Sequence, residues 1–211
     1  MSDAPGRPPW GSRRIHWSKV SFAALDFETT GLDADDTVIS FGVVPVVDGR
    51  IALAGSVYRT VSLESELSAQ SIVVHGLLPS DLAGSPSIHR ARPTLRDALD
   101  GRFLLTWAAE VEAAFLAKVF GGAHGRWLRR SVDVLGLAIT ADRLGAREPE
   151  RGDYALTSAA ERFGVPVEQP HHAFDDALTT AQLFLILADQ LSHEGFDTPH
   201  RLIAGGKTGR R

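Results

Sequence analysis

The sequence predicts an α/β domain: a mixed sheet, antiparallel at first and then parallel, with helices on its faces. Three observations carry this. Phe22-Ala23-Ala24-Leu25 is a short apolar run suited to a strand buried on both faces. Asp48-Gly49 is a two-residue hairpin signal between apolar segments. Residues 103–106 form an apolar strand leading directly into a helical pattern, where Val111, Phe115 and Val119 recur at helical spacing. The length of 211 residues suits one domain burying about 70% of its unfolded surface.

In chain order, residues 1–19 hold Pro5, Gly6, Pro8, Pro9 and Gly11 and read as a disordered leader, although Trp10 and Trp17 could dock on the body. The first strand is expected at 20–28. The loop Asp33-Ala34-Asp35-Asp36 leads to a second strand at 37–47, and 51–61 returns beside it to complete an antiparallel meander. Residues 68–74 open a short helix before His75-Gly76, and 94–99 reads as another. The strand at 103–106 feeds a helix at 108–120. Further helices are expected at 133–144 and 155–163, the latter stopped by Gly164 and Pro166. The last helix, 174–191, carries a stripe of Ala177, Ala181, Phe184, Ala188 and Leu191 that begins at Ala173. Its small residues would let it lie close to the sheet. The domain is thus expected at 20–192, followed by a basic tail at 193–211.

Cysteine is absent, which excludes disulfides, thiolate metal sites and a cysteine nucleophile. No apolar run approaches membrane-span length and no signal-peptide core opens the chain, so a cytoplasmic location is expected. The net charge of −4 is unevenly spread. Residues 1–20 carry +3 and residues 201–211 carry +4, leaving −11 between them. So acidic a body is a poor non-specific binder of duplex nucleic acid. The basic ends could steady a polyanion or simply solubilise the chain.

Asp26 and Glu28 interrupt the first strand at a spacing of two, which places both carboxylates on one face. Beside a core they repel each other and lose solvation, at about several kcal/mol per unpaired ion. A divalent cation removes both costs. On this pair alone the plainer reading, a strand ending at Leu25 and two solvated acids, stays open. Thr29-Thr30-Gly31 reads as a turn, with Gly31 free to take a positive φ. The second signal is His171-His172-Ala173-Phe174-Asp175-Asp176. Asp176 falls beside the apolar stripe, where the sheet could present Asp26 and Glu28 to it. His171 precedes the helix and could hang over the same place. Taken singly, Asp175 and Asp176 could instead serve the helix dipole, and the histidines could be ordinary surface residues.

Together, Asp26-Phe27-Glu28-Thr29-Thr30-Gly31-Leu32 and the His171, Ala173, Asp176 pattern H-x-A-x-x-D resemble the DEDDh, or DnaQ-like, group of 3′–5′ exonucleases. That group includes the proofreading subunit of bacterial DNA polymerase III, RNase T and oligoribonuclease. The resemblance covers about residues 20–192, including Val74-His75-Gly76-Leu77 and Asp133 before a helix. It implies a ribonuclease-H-like fold and two divalent cations, Mg²⁺ or Mn²⁺. It further implies that Asp26, Glu28 and Asp176 are ligands and that His171 is the general base. Phe27, Thr29 and Thr30 would meet the terminal nucleotide, with His75 near the substrate. The implied activity is hydrolysis from the 3′ end of single-stranded DNA or RNA, releasing nucleoside 5′-monophosphates. A homodimer is compatible with the family. No polymerase-binding extension is evident.

The second motif departs from the family pattern. Leu104-Leu105-Thr106-Trp107-Ala108 stands where L-V-A-H-N is usual, and Glu112 falls where the fourth acid, an Asp, is expected. Glu112 keeps the charge with one more methylene and is taken as a metal ligand. Trp107 could stack a base but reads more naturally as packing. Ser40 replaces an acid often seen in the second strand. The altered motif leaves an alternative: a catalytically weak nucleic-acid-binding module with a degenerate site.

Overall fold

The computed structural model describes residues 4–8, 14–63, 67–147 and 152–209. At its centre β1 (Phe22–Thr29) runs antiparallel to β2 (Val38–Val47), with Asp26 opposite Gly42 and Glu28 opposite Ser40. Asp48 and Gly49 take φ of 50° and 69°, the two left-handed residues such a hairpin turn needs. The returning chain is not the single strand expected at 51–61. β3 (Arg50–Ile51) stops after two residues, a 3-10 turn at Leu53–Gly55 intervenes, and β4 (Val57–Thr60) resumes pairing with β2. The interruption falls opposite Pro45, which has no N–H to extend the ladder; only its carbonyl is used, by Ala52 N–H at 2.9 Å.

On the other side of β1 lie β5 (Phe103–Thr106) and β6 (Ser131–Asp133), both parallel. Among the described residues the sheet is six-stranded, ordered β3-β2-β1-β5-β6, with β4 also on β2. The helices are α1 (Ala69–His75), α2 (Pro79–Leu82), α3 (Ile88–Leu99), α4 (Ala109–Phe120), α5 (His124–Leu128), α6 (Val134–Leu144), α7 (Leu156–Arg162), α8 (Ala173–Ser192) and α9 (Pro199–Gly209). Successive β1 side chains alternate between two cores. Phe22 and Ala24 pack with α8 and α6 on one face, while Ala23, Leu25 and Phe27 pack with α3 and α4 on the other. Ala173, Ala177, Ala181, Phe184, Ala188 and Leu191 of α8 are all buried, as their periodicity predicts.

The ends differ from expectation. Trp17, in the expected leader, is buried, donates from Nε1 to Ser192 Oγ at 2.8 Å and meets Phe184 edge-on. Gly6 N–H donates to Asp100 Oδ1 at 2.6 Å. Trp10 lies outside the described residues. The expected tail holds α9, which packs so closely on α6 that a Cβ on Gly136 would collide with the carbonyl of Gly206. Small residues on both helices permit that approach. None of the described helices is long and apolar enough to cross a membrane.

Candidate active site

Asp26 and Glu28 continue the parity of Phe22 and Ala24, so their carboxylates face α8. β1 pairs with β5 only as far as Ala24 with Leu105, and a register shift follows Glu28 on the β2 side. The acids therefore stand where strand pairing is running out, at the carboxyl end of the sheet. In open α/β sheets this is where ligands bind.

Gly42 supplies the second half of the geometry. A Cβ there would overlap the Ala173 carbonyl and the Phe174 Cα, so only glycine lets the first turn of α8 rest directly on β2 beside Asp26. Asp176, one turn into that helix, then meets the strand acids. Asp26, Glu28 and Asp176 offer carboxylate oxygens all within 4.8 Å of one another. Glu112, in the first turn of α4 and 6% exposed, lies outside that trio. Its charge nonetheless acts on Asp26 more strongly than that of Glu28 or Asp176.

The electrostatics follow from this crowding. Asp26 sits deep among protein atoms while part of its surface stays open to solvent. Burial raises its carboxyl well above the usual range, and Glu112, Glu28 and Asp176 raise it further. Burial and then Asp176 push Glu28 up to about 7. Burial lifts Asp176 to about 6 against the opposing pull of His171. Without a counter-charge these acids compete for protons near neutral pH. All the donors are oxygens, the set that suits a hard divalent cation.

His171 is exposed just before α8 at φ 59°, with its backbone N–H donating to Asp176 Oδ2 at 3.2 Å. The remaining expected residues divide. Thr29 and Thr30 are tied into their own loop, Thr29 Oγ1 donating to the Gly31 carbonyl at 2.7 Å and Thr30 Oγ1 to Asp36 Oδ1 at 2.6 Å. Gly31 does not use the positive φ open to a glycine. What it supplies is room, since a Cβ there would strike the Asp36 carboxylate. Phe27 points to the opposite face from the acids and packs near Phe115, ring centroids 6.3 Å apart. Trp107 is half-buried against the α8 core, and its carbonyl accepts Leu135 N–H at 3.2 Å. His75 is buried with both ring nitrogens engaged. Nδ1 accepts Leu77 N–H at 3.0 Å, which leaves the proton on Nε2 to donate to Ser71 Oγ at 2.6 Å. Burial and the charge of His171 lower its pKa. Asp133 caps α6, accepting Gly136 N–H at 3.1 Å.

Sequence reasoning missed Gly42, although a glycine inside an apolar strand signals close backbone approach. It also missed Tyr58, whose ring lies over His172 with centroids 4.4 Å apart.

Known proteins resemble this chain in sequence and in fold. The chain is 30% identical over 182 residues to a PolC-type DNA polymerase III of Thermotoga petrophila, covering 85% of this chain and 13% of the polymerase. It thus spans about an eighth of that relative. Among solved structures, E. coli exonuclease I in complex with a dT13 oligonucleotide superposes with a TM-score of 0.68 at 15% identity, over 83% of this chain and 42% of that one. The nuclease domain of 3′hExo, a DEDDh family member bound to rAMP, superposes with a TM-score of 0.64 at 15% identity, over 86% and 94% of the two chains. At those identities the likeness speaks for the ribonuclease-H-like fold. The model of the exonuclease family matches residues 23–184, and the chain belongs to that family, in its DEDDh, DnaQ-like branch.

Proposed function

We propose that this chain is a divalent-metal-dependent 3′–5′ exonuclease that removes nucleoside 5′-monophosphates from single-stranded DNA or RNA. The observation that carries the reading is the convergence of Asp26, Glu28 and Asp176 within 4.8 Å, with the charge of Glu112 bearing on Asp26. Asp26, Glu28, Asp176 and Glu112 would hold two Mg²⁺ or Mn²⁺ ions. Bound cations of this kind neutralise the charge that builds on a phosphodiester and ease deprotonation of water.

The chain's own residues supply the rest. His171, exposed at the lip of the acid cluster, takes the proton of the attacking water through its imidazole. Its backbone N–H steadies Asp176. The Thr29–Leu32 loop, braced by Thr30 and Asp36, presents main chain to the terminal nucleotide. The acidic body disfavours long duplex contacts and favours recognition of a chain end. Activity as part of a polymerase is not required by this reading.

The test uses 5′-labelled single-stranded DNA and RNA with Mg²⁺ or Mn²⁺. Products shortening stepwise from the 3′ end, absent with a chelator and absent in Asp26→Asn, are expected. Binding without shortening in either metal would instead indicate a nucleic-acid-binding module with a degenerate site.

A further inference from the structure

His171 stands at φ 59°, a region disfavoured for any residue with a Cβ. Such a residue persists where its surroundings over-determine it. The contacts that do so gather around the first turn of α8 and the strand residues it rests on. Across the sheet, Asp26, Gly42 and Tyr58 occupy one row of paired positions, their side chains on the same face. Gly42 leaves a trough in that row, and Ala173 lies in it. Asp26 forms one wall and the Tyr58 ring the other.

Tyr58 covers His172, its ring tilted 36° to the imidazole. His172 Nδ1 lies 3.0 Å from Asp175 Oδ2 in the first turn of α8. The His172 carbonyl accepts the Asp176 N–H at 3.0 Å, while His171 N–H closes back onto Asp176 Oδ2. The peptide joining His171 to His172 is therefore held from both ends, by the ring stack on one side and by Asp176 on the other. A free loop residue would escape φ 59° by rotating about its own backbone, and here that rotation would pull His172 out from under Tyr58.

We propose that Tyr58, His172 and Asp175 form a clamp that positions His171 over the acid cluster, with the Tyr58 ring face as its anchor. The three are positioning residues, and they act through the backbone of His171. The proposal deepens the exonuclease reading and rests on it for the consequence in turnover. The backbone consequence stands apart from activity.

Two measurements on Tyr58→Ala and Tyr58→Phe test it. In the metal-free protein, the His171 amide order parameter is expected to be near the rigid value of about 0.85 in wild type and Tyr58→Phe, and to fall below about 0.6 in Tyr58→Ala. With single-stranded substrate, kcat is expected to fall about 10–100-fold in Tyr58→Ala, with KM and Mn²⁺ affinity within about threefold of wild type and near-full recovery in Tyr58→Phe. An unchanged order parameter in a folded Tyr58→Ala overturns the clamp. So does a loss of Mn²⁺ affinity equal to the loss of kcat, which would place the effect on the acids or on folding. A wild-type protein without nuclease activity would sink the exonuclease reading while leaving the order parameters to decide the clamp.

Discussion

At the scale of the residue, Asp26 is held where its charge is least welcome. Set deep in the protein in the second half of β1, under the charges of Glu112, Glu28 and Asp176, it gains stability by losing its charge or acquiring a cation. Asp26→Asn is therefore expected to abolish metal-dependent cleavage while raising the Tm of the metal-free protein at about pH 8, by about 2–4 °C for each kcal/mol of repulsion relieved. An unchanged or lower melting temperature would mean that the cluster is not strained. The pH dependence has a definite sign. Glu28 rises from 4.5 to about 7 and Asp176 from 3.8 to about 6, so the folded protein holds protons that the unfolded chain has released. Stability from these groups is full below about pH 4 and is lost as pH climbs through 6 and 7. Thermal melts of chelated protein should decline across that window, and saturating Mn²⁺ should flatten the decline. Glu112 is tested by length: Glu112→Asp is expected to retain cleavage and Glu112→Ala to lose it. Equal rates in the two would remove Glu112 from the site.

At the scale of the element, the site depends on how close α8 can come to β2. Gly42→Ala should force α8 away from the strand, at about 1–3 kcal/mol of stability, and weaken Mn²⁺ binding along with it. Urea denaturation and metal titration of the same variant would check both effects. Gly136→Ala, which collides with α9 on the far side of α6, should cost similar stability while leaving metal affinity near wild type. The difference between the two variants separates packing that builds the site from packing that only supports the fold. This is also where sequence legibility divides. The apolar run of β1, the hairpin at Asp48-Gly49 and the stripe of α8 repeat a simple period and could be read directly. β6 has three residues and α5 only five, too few for a period to register. The basic residues of 193–211 suggest a solvated tail, whereas the glycines of α9 make close helix contact possible. The acids at 26, 28 and 176 were legible from spacing and motif. Tyr58 was not, because its role comes from a cross-strand register that no local pattern encodes.

At the scale of the whole molecule, a sheet splayed at the end of β1 presents a compact acidic cup within a chain of net charge −4. Affinity for nucleic acid should then come from cations and a few end contacts rather than from a basic track. Binding of a single strand to the Asp26→Asn protein should fall only gently with salt, at a slope of about −0.7 for each phosphate neutralised and with few neutralised. A steep slope would reveal an extended basic footprint and contradict the end-recognition reading. The most direct measurement of the central claim is calorimetric titration of Mn²⁺ into nucleic-acid-free protein at about pH 6.5, in two buffers of different ionisation enthalpy. Saturable binding that releases protons, and is lost in both Asp26→Asn and Asp176→Asn, is the expected result. Mn²⁺ binding that ignores both substitutions, or none at all, would contradict it.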